Sequence, residues 1–210
     1  MQYHFITIEG NIGAGKTTLA HLLSKKLNAR LILEEFADNP FLPKFYQDPK
    51  QFAFPLELFF MAERYKQLKT RLHTTDLFQS VTVSDYLFTK CLLFARVNLP
   101  PDEFKLYQRL FDIINQQIIF PDVLIYLHAP VAKLQDNIKK RNRSYEQEIP
   151  DAYLQKIQET YQTYIKEHNI KTILIDASNA DFLGNEEHLQ IVLNALESGI
   201  GDGFNYLSLP

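Results

Sequence analysis

The chain has one cysteine among 210 residues and no surplus of basic charge. It also has no apolar run approaching the ~20 residues that cross a bilayer. Each shortage excludes something. Cys91 has no partner in the chain, so an internal disulfide is ruled out and a reducing compartment is expected. A small buried residue is its simplest role. A net charge of −3 gives no reason to expect a nucleic-acid or acidic-membrane partner. The N-terminus enters a strand directly, with no basic start followed by an apolar signal segment, so a cytoplasmic location is the expectation. Repeats, low-complexity tracts and linkers are all missing, and the length suits one domain with a full core.

What is present begins at Gly10-Asn11-Ile12-Gly13-Ala14-Gly15-Lys16-Thr17-Thr18, which fits G-x-x-x-x-G-K-[ST] with one extra glycine. The preceding run from Tyr3 to Glu9 is β-branched and aromatic, as in a buried strand. After it, Leu19, Leu22, Leu23 and Leu27 fall on one helical face. Strand, glycine turn and helix together place loop N–H groups and a helix N-terminus around a phosphate. Lys16 is then expected to neutralise the β- and γ-phosphates of a nucleoside triphosphate, and Thr17 to ligate Mg²⁺.

Further strands are expected at Arg30 to Glu34, Ser80 to Ser84, Val123 to Leu127 and Lys171 to Asp176. The segment from Asp38 to Pro43 is rich in turn formers. Pro49 to Leu72 reads as a helix that Pro55 either kinks or starts late. Other helices are expected from Tyr86 to about Arg96, from an Asp102 N-cap to about Ile118, and from Pro130 into the basic run Lys139 to Arg143. Two more run from Pro150 or Asp151 to Glu167 and from Glu186 to Leu196. The glycine-rich tail from Gly199 has no assignment. The pattern predicts an α/β fold: a five-stranded parallel sheet with helices on both faces. Ligands of such sheets bind beyond the carboxyl ends of the strands. The glycine loop, Glu34, Asp85 and the basic turn around Arg141 all lie there, which is the inventory phosphoryl transfer needs.

This set of stretches resembles the deoxynucleoside kinase family, most closely its bacterial deoxyguanosine and deoxyadenosine kinase branch. The resemblance runs from Tyr3 to about Asp176. It is carried by the glycine loop, the acid after strand two, "NPFLPKFYQDPKQFAFPLELFF", "DYLF" after strand three, and "KKRNRSYEQEIPDAYL". It implies a P-loop kinase fold, ATP with Mg²⁺, transfer to a deoxynucleoside 5′-hydroxyl, and a homodimer. Glu34 matches the family's catalytic acid, with Glu35 its rival. Alternation along a strand lets only one of the two face the site, and spacing favours Glu34. Asp85 matches the acid that holds Mg²⁺ or its waters, and is otherwise a helix N-cap. Arg141 and Arg143 match a lid spanning about residues 141–149. Glu146 and Tyr46 match the pair that binds the sugar 3′-hydroxyl.

Two family arginines are replaced, by Tyr86 and Asn137, with Lys90 a candidate substitute for the first. Glu57 falls where the family reads the base, a position often filled by glutamine. An ionised carboxylate only accepts hydrogen bonds. It suits guanine, whose N1–H and 2-amino group are adjacent donors, better than adenine, whose N1 is an acceptor. Arg64 matches a base-site arginine and is expected to pair with Glu57 or reach guanine O6. Phe52, Phe54, Leu56, Phe59 and Phe60 are mostly core, with one or two, or Phe88, available to stack on the base. Phe111 and Ile114 are candidates for a dimer face. A deoxyadenosine or broad-specificity deoxynucleoside kinase, a thymidylate-kinase-like monophosphate kinase and a P-loop ATPase or switch module are the competing readings.

Overall fold

The computed structural model describes residues 2–35, 39–72 and 79–210, so Asp38 lies outside the described residues. In chain order the elements are β1 (Phe5–Gly10), α1 (Lys16–Lys26), β2 (Arg30–Ile32), α2 (Leu42–Gln47), α3 (Pro49–Leu72) and β3 (Thr82–Ser84). They continue with α4 (Lys90–Asn98), α5 (Pro101–Asn115), β4 (Val123–His128), α6 (Val131–Arg141) and a 3₁₀ turn at Ser144–Glu146. Last come α7 (Asp151–Glu167), β5 (Thr172–Asp176), α8 (Glu186–Ser198) and β6 (Phe204–Leu207).

The sheet is parallel throughout, in the order β2-β3-β1-β4-β5-β6. It has six strands, so the five-stranded expectation is corrected. The sixth lies in the glycine-rich tail, where Phe204–Leu207 pairs in parallel with β5. Four residues just after the last glycine carry too short an alternation to read as a strand. β1 is buried along its whole length, as the centre of a sheet covered on both faces requires. Ile6, Ile8, Val83 and Ile125 face Leu19 and Leu23 of α1 and Val192 and Leu196 of α8. On the opposite face Leu124 and Tyr126 pack against Ile157, Tyr161 and Ile165 of α7.

Several boundaries differ from expectation for local reasons. Pro101, not an Asp102 cap, opens α5: a proline at the first helical position loses no hydrogen bond, and Asp102 then sits in the first turn. Helix α3 starts at Pro49, well before Pro55, and continues through it. Tyr86 and its neighbours form turns before α4 begins at Lys90. Phe111 is buried and stacks on Phe88, so neither a dimer face nor a base-stacking role suits those two. The outward face of α5 carries Leu106, Leu110 and Ile113 instead. Among the described residues no helix is long and apolar enough to cross a membrane.

Candidate active site

The chain crosses from one side of β1 to the other after β3, which leaves a crevice beyond the carboxyl ends of β1 and β3. The glycine loop fills it. Gly15 adopts φ +91° and caps α1, aiming the helix N-terminus into the loop. Gly13 has φ +82°, and a Cβ there would meet the Leu134 carbonyl oxygen at 2.7 Å, so α6 packs directly on the loop backbone. Asn137 of α6 donates to the Gly13 carbonyl at 2.8 Å. Asn137 therefore braces the loop. Asn11 is tied down by a 2.7 Å bond to the Leu154 carbonyl. Glu9 is a fixture that sequence reasoning missed. Fully buried at the root of the loop, it accepts from Gly10 N, Leu87 N and the Tyr161 hydroxyl.

Two cavities open from this crevice. Gly13, Ala14, Gly15 and Thr18 line the first, with Lys133, Asn137 and Lys140 of α6 and with Ala177 and Ala180 to Leu183 after β5. The second is lined by Ile12, Glu34, Tyr46, Glu57, Arg64, Asp85 and Glu146, among others. Lys16, Thr17, Arg141 and Arg143 line both. Residues from Glu34 to Glu146 predicted for an acceptor pocket thus converge on one space beside the loop.

Within it Asp85 ties three elements together. Its Oδ2 accepts from the Thr17 hydroxyl at 2.6 Å, and its Oδ1 from the Glu34 backbone N–H at 2.7 Å. It caps no helix. A hydroxyl and a carboxylate oxygen side by side at the loop suit a hard divalent cation. Among the described residues no group of three or more His, Cys, Asp and Glu could hold a metal.

Glu34 enters the cavity and Glu35 does not: the latter is exposed and accepts from Gln67 at 2.9 Å. Glu34 Oε1 accepts from Nε and a terminal nitrogen of Arg64, and Oε2 from Lys90 Nζ at 2.6 Å. Burial pushes this carboxyl up, but the two cations outweigh it and hold it well below the carboxylate range. Arg64 is therefore paired with Glu34, which corrects its expected pairing with Glu57. Its remaining terminal nitrogen lies 3.1 Å from Cys91 Sγ. Lys90 supplies a cation beside Glu34, while Tyr86 is buried with its hydroxyl on Gln67. Burial and the nearby Lys90 lower Lys16 to about 8, against the pull of Glu9 and Glu34.

Glu57 lies on the inner side of α3, 1% exposed. Its Oε1 accepts from Asn98 Nδ2 at 2.7 Å, and its Oε2 has no hydrogen-bond partner among the described residues. Burial pushes this carboxyl up to about 7, although Asn98 and Arg64 pull it down. Leu56 and Phe60 line the same cavity, whereas Phe52, Phe54 and Phe59 do not. At the lid, Glu146 is buried and accepts from both Arg141 and Arg143. Tyr46 stacks on Tyr145 with ring centroids 6.1 Å apart. Burial and Glu146 hold the Tyr46 phenol protonated. Asn98, Tyr153 and the donor-side residues after β5 were not foreseen, since nothing in their local sequence marks them.

A glycine loop shared by two cavities, with cations at their junction, suits a nucleotide-binding phosphotransferase. A family model for deoxynucleoside kinases matches residues 6–200, and the chain belongs to that family. The deoxyguanosine kinase of Bacillus subtilis (strain 168) is 36% identical over 192 residues, 89% of this chain and 92% of its own. The deoxyadenosine/deoxycytidine kinase of the same strain is 30% identical over 203 residues, 94% of this chain and 93% of its own. A solved structure of deoxyadenosine kinase from M. mycoides with bound dCTP superposes with a TM-score of 0.79 at 25% identity, covering 92% and 99% of the two chains. Relatives named for guanine and for adenine both appear, so family membership leaves the choice of base to the site.

Proposed function

We propose that this kinase moves the γ-phosphoryl group of ATP to the 5′-hydroxyl of a purine deoxynucleoside, with deoxyguanosine preferred. The observation that carries the reaction is the shared lining: Lys16, Thr17, Arg141 and Arg143 border both cavities. A phosphoryl group passing from one to the other stays in contact with the same donors throughout. Glu34 accepts the 5′-hydroxyl proton as that oxygen bonds to phosphorus, and the bond to the β-phosphate oxygen breaks to release ADP. Lys16 and the lid arginines stabilise charge on the equatorial oxygens. Thr17 and Asp85 hold Mg²⁺, which neutralises triphosphate charge when bound. Glu146 and Tyr46 bind the 3′-hydroxyl, and closure of the lid excludes water.

The preference for deoxyguanosine rests on Glu57, whose Oε2 is buried without a partner beside the site. Guanine offers it N1–H and the 2-amino group. A homodimer through the apolar stripe of Leu106, Leu110 and Ile113 on α5 belongs to the same proposal. Sedimentation of Ile113→Asp as a monomer tests that part.

The monophosphate-kinase reading is disfavoured by charge pairing. Arg64 and Lys90 are paired with Glu34, and Arg141 and Arg143 with Glu146, so the cations lining the acceptor cavity other than Lys16 of the glycine loop already face an acid. Incubation with ATP and separate deoxynucleosides, deoxynucleoside monophosphates or neither decides the matter. Label is expected on a purine deoxynucleoside 5′-oxygen; label reaching only monophosphates, or only water, refutes the proposal.

A further inference from the structure

Glu57 presents two oxygens in different circumstances. Oε1 accepts from Asn98 of α4, and Oε2, on a side chain 1% exposed, has no partner although the residue lines the acceptor cavity. Because Asn98 directs an N–H at Oε1, a proton taken up by this carboxyl sits on Oε2. The neutral acid then carries a donor at Oε2 and an acceptor at Oε1. The ionised form carries acceptors at both. Adenine's Watson–Crick edge offers an acceptor at N1 beside a donor at the 6-amino group, and guanine's offers two donors.

We propose that Glu57 reads the purine in two protonation states, taking guanine when ionised and adenine when neutral, with Asn98 as the positioning residue that fixes which oxygen carries the proton. The inference rests on the nucleoside-kinase reading above and deepens it by making base choice depend on pH. Asn98 alone would leave a permanently charged carboxylate selective for guanine. Burial is what brings the neutral form within reach, lifting the group to about 7. The charged and titratable groups facing it are few. Arg64 lies on its own helix, Lys90 and Cys91 on α4, and Glu34 beyond β2. The phenols of Tyr107 on α5, Tyr46 on α2 and Tyr153 on α7 complete the ring. Burial drives these phenols and the Cys91 thiol upward, so they stay neutral near pH 7. Glu34 is held ionised by its two cations. Of the two acids in this ring, only Glu57 changes charge near neutrality.

The consequence has a distinctive form. If guanine needs the ionised enzyme and adenine the neutral one, the ratio of the two kcat/KM values varies as the reciprocal of proton concentration. It therefore rises about tenfold per pH unit. Any titration that affects both substrates alike cancels. The experiment is competition between deoxyguanosine and deoxyadenosine, with saturating ATP, across the range from about pH 6 to about pH 8. A rising ratio is expected for the wild type. Glu57→Gln, whose amide has a fixed donor and acceptor, should give a low ratio that does not move with pH. Asn98→Ala removes a donor that favours ionisation, so it should lower the ratio at every pH while keeping the slope. A flat wild-type ratio, or a slope that survives Glu57→Gln, overturns the inference while phosphorylation of both nucleosides upholds the reading it rests on. If neither purine nucleoside accepts phosphate at any pH, both fall together.

Discussion

Replacing Glu57 by Gln removes a charge that the folded chain carries at a cost. Burial lifts the carboxyl from an ordinary 4.5 to about 7. Its folded pKa lies above its unfolded one, so as pH rises the unfolded chain releases this proton first. Stability is therefore undiminished below about pH 4.5, falls between there and about pH 7, and is level above that. At about 1.4 kcal/mol per pKa unit, ionised Glu57 costs the free enzyme about 3 kcal/mol at pH 8. Glutamine has the same shape and does not titrate. Its own burial adds or subtracts a constant, so the useful quantity is the change in the difference between variant and wild type. That difference should move in favour of Glu57→Gln by about 2–3 kcal/mol between pH 5 and pH 8. Urea unfolding at the two pH values, with stability taken from midpoint and slope, reads it directly. A difference that is the same at both pH values would mean that Glu57 is not held in the desolvated state described here, and the base-reading argument would lose its physical basis.

Three further outcomes test the rest of the site. Glu34→Gln removes the carboxylate that pairs with both Arg64 and Lys90 in the cavity wall, so unfolding free energy should drop by about 3–5 kcal/mol. Its kcat should fall by about 10²–10⁴, and turnover within a few-fold of wild type would remove Glu34 from the base role. Tyr46→Phe should raise KM for a deoxynucleoside but leave KM for the 2′,3′-dideoxynucleoside unchanged; an equal effect on both would separate Tyr46 from the 3′-hydroxyl. Gly13→Ala forces a Cβ toward the Leu134 carbonyl at a positive φ, so ATP affinity and melting temperature should both fall, and an unchanged ATP affinity would refute the close packing of α6 on the loop.

What could be read from the sequence was what local chemistry dictates. A buried strand, a glycine turn and an amphipathic helix are each self-announcing, and together they located Lys16 and Thr17. Parallel topology then put Glu34 and Asp85 at one rim, because every strand end points the same way. Pairings between distant elements were not legible. Arg64 chose Glu34 over Glu57, its neighbour on the same helix, because Cys91 and Glu34 lie across from it where α4 and the end of β2 approach α3. Asn98 ends a helix before a proline and looks like an ordinary helix terminus; only the packing of α4 on α3 turns its amide toward Glu57. Phe88 and Phe111 gave the wrong expectation for a related reason: an aromatic side chain has the same propensity whether it meets a ligand, a partner or another ring.

Two carboxyls in one cavity have been driven apart by their surroundings, which is how a single fold assigns them different work. Both are buried, and burial alone would raise both. Glu34 has Arg64 and Lys90 on its oxygens and stays ionised at any pH at which the protein functions. Glu57 has a neutral amide on one oxygen and nothing on the other, and it titrates near 7. A group as acidic as Glu34 is a weak base, so it gains little by taking the hydroxyl proton early. The loose transition state of phosphoryl transfer removes that difficulty, because the hydroxyl remains largely protonated until phosphorus is nearly transferred. On the proposed mechanism, Glu34 acts first by orienting the 5′-hydroxyl and only late as its proton acceptor. It follows that no acid limb above about pH 5 in kcat/KM belongs to Glu34. If Glu57 touches the base as proposed, opposite pH dependences for the two purines come from its carboxyl.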